Sequence, residues 1–464
     1  MTTTDLIIIG AGPGGYRAAE LAAKKGLKVV VIEASHVGGT CLNVGCIPTK
    51  TYVHAASFDE ARQRMPQVVQ QLRSGVESIL AHPNITLVRG KAAFADAHTV
   101  EVQPFSPPSG GQGGAFSAPN IIIATGSATK LIPVEGLDDP RVVDSTGFLQ
   151  LDTLPRRLCI IGAGVIGMEF ASVFHRFGSE VTVVEYLKEC LPALDSDIAK
   201  RLRKQMEKEG IVFHMQSAVR RIADGTVFFE DKKGNTQSVE ADVILMATGR
   251  KPNTEGLNLE AAGIVLAPNG SIPVDDNYQV APLTSHLSPL TSHLYAIGDV
   301  NGRQMLAHAA EYQAKRVVEH ILGGGPNETN KPNKTNGANR ANEPNGANGP
   351  AIPAAIFTTP EAACVGPTED LLKQDGAAYE CRKAFWRANG KALAMNETEG
   401  MLKLFSEPGA GRILGCHAYG AHSADIVQEV SALMYFGATV AQLRDIVHIH
   451  PTLSEVLLSA AEVL

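Results

Sequence analysis

Four consecutive apolar residues, Leu6 to Ile9, give way to the turn Gly10-Ala11-Gly12-Pro13-Gly14-Gly15, and apolar positions then recur at helical spacing from Tyr16 to Lys25. A second apolar run, Val29 to Ile32, follows and ends in an acid, Glu33. Short apolar runs bounded by turn residues predict buried strands, so this stretch reads as strand, glycine turn, helix, strand. The plan returns about 150 residues later: Leu158 to Ile161, then Gly162-Ala163-Gly164-Val165-Ile166-Gly167, a helical stretch, Val181 to Val184, and the acid Glu185. Two further runs, Ile121-Ile122-Ile123 and Val243 to Met246, each run on into Ala-Thr-Gly, as if closing the two halves of a duplication. From residue 351 onward there is no glycine fingerprint, and strand and helix signals are mixed.

The pattern predicts an α/β protein with two Rossmann-like dinucleotide-binding domains and a C-terminal α+β domain. The regions are 1–149 for the first, 150–272 for the second, 273–323 as a return to the first, and 351–464 for the last. Between them, residues 324–350 carry an asparagine at every third position from Asn327 to Asn348, a composition that cannot bury a core and predicts a disordered insert. Pro282 to Ser288 is nearly copied by Pro289 to Leu294, and Pro104 to Pro119 is rich in Pro and Gly; both read as lengthened loops. The duplicated loop holds His286 and His293, but no third ligand accompanies them and no metal site is expected.

A chain of 464 residues is too long for one core and suits about three domains. Its 44% hydrophobic and 19% charged residues are ordinary for a globular protein. A net charge of −7 offers no nucleic-acid or membrane surface, and no apolar run approaches the ~20 residues of a bilayer span. With the first strand starting at Asp5, the expectation is a cytoplasmic protein. Seven cysteines are too few, and odd in number, for a disulfide-stapled secreted fold.

Candidate chemistry lies at four places. Both glycine turns follow a strand, open a helix, and have an acid 23 residues after the first glycine. Glycines there allow a tight turn and close phosphate approach, while the acid suits a ribose hydroxyl. Glu185 would repel a 2′-phosphate, which favours NAD over NADP. Cys41 and Cys46 are the one closely spaced cysteine pair. In a regular helix, residues five apart rise about 7.5 Å and point away from each other, too far for a disulfide, so a bond needs a distorted turn at Gly45 or Pro48. Zinc is the rival reading, but no nearby Cys or His completes a ligand set. Tyr295 to Asp299 is a strand ending in Gly-Asp, which can place a carboxylate on a cofactor hydroxyl. Finally, His450 and Glu455 could form a base with its orienting carboxylate, although that spacing alone is a common coincidence.

Taken together, GGTCLNVGCIPTK at 38–50, MLAHAA at 305–310 and HPTLSE at 450–455 resemble the pyridine nucleotide-disulfide oxidoreductase family, above all its members that oxidise dihydrolipoamide. The resemblance covers nearly the whole chain. It implies that Gly10, Gly12, Gly14, Gly15 and Glu33 hold the adenosine half of FAD, with Thr40, Thr125, Gly126 and Ser127 also in contact. Asp299 and Met305, Leu306, Ala307 and His308 would approach the ribityl and flavin portions. Gly162, Gly164, Gly167, Glu185 and Gly249 would hold NAD. Lys50 would sit beside the flavin and pair with Glu169. Cys46 is implied as the flavin-side sulfur of a redox disulfide and Cys41 as the sulfur that exchanges with substrate. His450, oriented by Glu455, would serve the disulfide of the other subunit of a homodimer. The implied partner is a lipoyl domain of a 2-oxo-acid dehydrogenase or glycine-cleavage complex. The chain departs from the family in a shorter region after Lys50 and in its asparagine tract. Another NAD(P)H-dependent disulfide reductase and a catalytically silent flavoprotein subunit are the alternative readings.

Overall fold

The computed structural model describes residues 1–104, 113–281, 291–323 and 351–463. The asparagine tract, residues 282–290 of the duplicated loop and residues 105–112 lie outside the described residues. The chain forms two compact units, one from 1–51, 61–130 and the described part of 250–331, the other from 52–60, 131–249 and the described part of 332–464.

In the first unit a parallel sheet runs Leu294–Ala296, Ile121–Ile123, Leu6–Ile9, Val29–Glu33, Ile85–Arg89. Leu6 to Ile9 and Val29 to Glu33 are buried along their whole length, because both faces are covered. On one face pack the helices Pro13–Lys24, Phe58–Leu80 and Ala307–Ile321, through Ala18, Ala22, Val76 and Val317. The other face meets an antiparallel layer through Phe94, Val100 and Phe116, joined by Leu257, Leu259 and Ile264.

The second unit repeats the arrangement. Its parallel sheet runs Val142–Val143, Val243–Met246, Arg157–Ile161, Glu180–Glu185, Val212–Met215. In both sheets the glycine-loop strand lies between the strand leading to Ala-Thr-Gly and the strand ending in the acid. The same unit holds an antiparallel sheet of Ala354–Ile356, Ala362–Val365, Ile413–Tyr419, Met401–Ser406 and Glu380–Phe385. Helices Ser423–Tyr435, Val440–Asp445 and Glu455–Glu462 contribute Val427, Leu443 and Leu457 to its core.

The chain crosses between units at residues 130/131 and 249/250, rather than at 149/150 and 272/273 as the pattern suggested. Val142–Val143 already belongs to the second sheet, and two residues carry no periodicity to announce it. Arg250–Pro252 pairs back onto Ser127–Thr129, and Phe94 N donates to Leu257 O at 2.8 Å, so residues 250–272 rejoin the first core. Among the described residues, no helix is long and apolar enough to cross a membrane.

Candidate active site

The two glycine turns are built alike. Gly10 has φ +103°, and a Cβ there would lie 2.4 Å from Ala124 O; Gly162 has φ +109°, and its Cβ would lie 2.4 Å from Ala247 O. A Cβ on Gly15 would fall 1.9 Å from Gly10 O, and one on Gly167 2.0 Å from Gly162 O. Gly15 and Gly167 need glycine because each helix packs directly against its own loop, and Gly10 and Gly162 because of their positive φ and the carbonyl that follows the neighbouring strand. The middle glycines differ: around Gly164 nothing lies within 4 Å, and the nearest atom to a Cβ on Gly12 is 3.8 Å away. Each caps a helix that has no side-chain cap, Gly12 for Pro13–Lys24 and Gly164 for Val165–Phe177. Open space before free helix N–H groups fits a pyrophosphate, so both loops fit a dinucleotide.

The acids are placed alike too. Glu33 accepts from Ala11 N and Ser35 N, both at 2.7 Å; Glu185 accepts from Ala163 N at 2.5 Å and Leu187 N at 2.6 Å. Each carboxylate thus ties the strand end to its glycine loop, and its remaining lone pairs are those a ribose diol would use.

The contrast between the glycines makes a prediction. Gly167→Ala should disrupt the second unit, since no rotamer relieves a contact with backbone. Gly164→Ala should leave thermal stability near normal but raise the KM for NAD about tenfold or more. Equal losses of stability in the two variants, measured by thermal melts, would count against an open cradle at Gly164.

The cysteine segment forms two helices, Gly39–Val44 and Cys46–Val53, broken at Gly45 (φ −138°, ψ −116°). The break expected from the sequence is therefore at Gly45, where a Cβ would lie 2.8 Å from Thr40 O; Pro48 sits inside the second helix. Cys41 is half-buried and Cys46 exposed, and the two are not joined by a disulfide. A hydrogen bond with Cys46, then burial, push the Cys41 thiol well up, while Lys50 opposes the shift. Asn43 locks this segment, donating to Val37 O and Gly39 O and accepting from Arg73 Nε at 2.9 Å. A Cβ on Gly39 would come within 2.7 Å of Gly12 Cα, so the cysteine segment abuts the first phosphate loop backbone to backbone.

A second network surrounds Asp299. Ser127 Oγ donates to its carboxylate and accepts from Arg250 Nε at 2.7 Å, and Arg250 Nη2 donates to Ser127 O at 2.6 Å. Burial pushes the Asp299 carboxyl up, against the Ser127 bond and the Arg250 charge. Thr125 Oγ1 donates to Asn253 O, and Asn253 N donates to Gly126 O, which holds this turn on the residue that follows the strand Arg250–Pro252. Gly126 and Gly249 have positive φ and open surroundings. Gln313 Oε1 accepts from Gly298 N at 2.7 Å and fixes the Gly-Asp turn. Arg250, Asn253 and Gln313 escaped the sequence reading, having no spacing that links them to Asp299. Met305 to His308 form the entry to the helix Ala307–Ile321, with Met305 and His308 exposed and Leu306 and Ala307 half-buried, and the N-cap Leu306 supplies no side-chain cap.

In the second unit, Glu169 is buried and accepts from Phe357 N at 2.9 Å. Lys50 belongs to the first unit. His450 Nδ1 lies 2.9 Å from Glu455 Oε1, and Thr452 N donates to Glu455 Oε2 at 2.8 Å. The His450 side chain is 79% exposed, so Nε2 is open. His448 is 4% exposed, with Nε2 on Glu429 and Nδ1 on Ile446 O. His293, the described histidine of the duplicated loop, stacks on His98 and bonds Ala97 O through Nε2. Among the described residues, no His/Cys/Asp/Glu cluster could hold a metal.

Residues 4–314 match the family described as pyridine nucleotide-disulphide oxidoreductase, and residues 352–461 match its dimerisation domain. The chain belongs to this family. Over 489 aligned positions it is 36% identical to dihydrolipoyl dehydrogenase 3 of Pseudomonas putida, covering 99% of this chain and 98% of the relative. It is 34% identical to the mitochondrial dihydrolipoyl dehydrogenase of Pisum sativum, with 98% and 90% covered. Among solved structures, RclA of Escherichia coli, an HOCl-induced flavoprotein disulfide reductase, matches with TM-score 0.85 and 32% identity over 99% of both chains. This pyridine nucleotide-disulphide oxidoreductase is thus an FAD-dependent enzyme that uses NAD(H), with a dimerisation domain at its C-terminal end.

Proposed function

We propose that the chain is a dihydrolipoyl dehydrogenase, oxidising a protein-bound dihydrolipoamide and reducing NAD⁺. The observation that carries this reading is the cysteine pair at the Gly45 break, taken with a histidine whose far nitrogen is held by Glu455. Relatives of that name cover the chain end to end.

The chemistry assigned to the chain's own groups is thiol-disulfide exchange. One thiol of dihydrolipoamide loses its proton to His450 Nε2, and the thiolate attacks Cys41 Sγ of the oxidised pair, expelling Cys46 as a thiolate. The second substrate thiol, deprotonated in turn, displaces Cys41 from the mixed disulfide and closes the lipoamide ring. The substrate loses two electrons and the cysteine pair gains them. Bound FAD would supply the two-electron route from that pair to NAD⁺. Lys50 and Glu169 are assigned to positioning beside that route.

The proposed assembly is a homodimer in which His450 serves the partner's cysteine pair. Val447 is 94% exposed and Ile449 78%, an apolar stretch leading into His450 that a second copy would cover. A lipoyl domain is the proposed substrate carrier and the cytoplasm the proposed location.

The rival is a reductase of RclA type, favoured by that structural match. Steady-state assays of the purified holoenzyme with dihydrolipoamide and NAD⁺, and with oxidised glutathione or Cu(II) and each reduced nicotinamide, decide between them. Dihydrolipoamide with NAD⁺ is expected to give the highest kcat/KM, NADP to be poor, and Glu185→Ala to erode the preference. A higher kcat/KM for Cu(II) reduction than for dihydrolipoamide would overturn the proposal.

A further inference from the structure

The second unit holds a cleft of about 530 Å³ between the helix Ser196–Glu209 and the antiparallel C-terminal sheet, lined by none of the cysteine or nucleotide-loop residues. Its volume lies in the range of small-molecule sites. One wall is a single helical stripe, with Lys200, Arg201, Lys204 and Lys208 recurring at three- and four-residue spacing. Arg203, one step off the stripe, turns inward instead and is buried against Glu189 and Glu207. The opposite wall adds Arg387, whose guanidinium lies 4.5 Å from the centre of the Phe385 ring.

The charges here are not mutually cancelled. Arg201 pairs with Asp197 at 3.0 Å and Lys204 with Glu207 at 3.2 Å. Lys200, Lys208 and Arg387 make no ion pair among the described residues and face a single unpaired carboxylate in the lining, Glu399. A concave site with surplus cations, on a protein of net charge −7, reverses the local field and concentrates anions. Lysines spaced along one wall and a guanidinium on the other suit adjacent phosphate groups better than one isolated charge.

We propose that this cleft binds a small polyphosphate anion, the chemistry shared by nucleoside diphosphates and inorganic polyphosphate. The site is separate from the proposed dinucleotide sites and does not depend on which disulfide the enzyme acts on.

Calorimetric titration of the FAD-loaded full-length enzyme, with NAD⁺ saturating so that the dinucleotide loops are filled, tests it. The probes are inorganic tripolyphosphate, ADP and a hexaglutamate peptide. Saturable binding of tripolyphosphate or ADP is expected, weakened at least tenfold by combined Lys200→Ala, Lys208→Ala and Arg387→Ala. Turnover of dihydrolipoamide should be unchanged in that variant. Tighter binding of ADP than of tripolyphosphate identifies a nucleotide as the occupant, and the reverse identifies inorganic polyphosphate. A control carrying Lys25→Ala, Lys28→Ala and Lys91→Ala removes three exposed charges from the first unit and should bind as the parent does. Equal loss in the control would reduce the effect to overall charge and overturn the proposal. So would hexaglutamate binding as tightly as the phosphates, which would make the cleft a docking site for an acidic protein segment.

Discussion

Replacing His450 by alanine is expected to lower dihydrolipoamide oxidation by roughly 10²–10⁴-fold, the range of a positioned general base. The substrate dithiol is mostly protonated near neutral pH, so attack on a disulfide requires a proton acceptor. His450 offers an exposed Nε2 because its Nδ1 is engaged by Glu455 at 2.9 Å. Glu455 is itself fixed: the Thr452 N–H and then His450 hold its carboxyl below the usual range, so it is an anion wherever the enzyme works. Glu455→Gln should therefore cost less than His450→Ala, since the geometry persists and only the charge is lost. His448 is the control. Both its nitrogens are bound within the fold, so His448→Ala should lower stability more than rate. NADH oxidation with ferricyanide as acceptor, which bypasses thiol exchange, should survive in His450→Ala. If that activity falls as far as dihydrolipoamide oxidation, the lesion lies in folding or assembly and the base assignment fails.

What could be read from the sequence is what depends on neighbours along the chain. Gly10 announces the phosphate loop because its φ of +103° suits glycine, and Gly15 because its Cα must pass against Gly10 O, a demand met within six residues. Gly45 was legible as a break for the same reason. The Asp299 network was only half legible: the Gly-Asp turn stood out, but Arg250 reaches Ser127 from 123 positions away and no periodicity encodes that. The return of 273–323 to the first domain fits Leu294–Ala296 completing the first sheet, but the boundaries at 149 and 272 followed sequence order where Val142–Val143 and Arg250–Pro252 follow strand pairing. Lys403 shows the same limit in another form. Nothing in Met401-Leu402-Lys403-Leu404 announces that the lysine is buried, yet it is 1% exposed.

Lys403→Ala is accordingly expected to destabilise the second unit by about 3–5 kcal/mol, the usual cost of removing one partner from a buried ion pair. Its Nζ lies 2.7 Å from Asp195 Oδ1 and 2.5 Å from Glu369 Oε2. Asp195 also caps the helix Ser196–Glu209 and accepts from Glu369 N, while its own N–H donates to His417 Nδ1 at 3.0 Å. Removing the lysine leaves two carboxylates in a space built for a cation. The same network sets an acid limit. Burial pushes His417 down to about 4, below its ordinary 6.5, so folding favours the neutral ring. A depressed folded pKa gives stability that is complete above the unfolded value and is lost as pH falls from about 6.5 toward 4. Glu369 extends the loss: burial alone would raise it, but Lys403, Lys373 and Tyr379 together hold it at about 2, so its contribution fades between about 4.5 and 2. Thermal midpoints measured from pH 8 to pH 3 should fall in both windows. His417→Gln, which can still accept from Asp195 N, should start lower but reduce the slope of the upper window, because the buried imidazole is gone while His214 and His293, also held down by burial, still titrate. An upper-window slope equal to that of the parent would show that His417 is not the group responsible, and that the acid sensitivity arises outside this buried cluster.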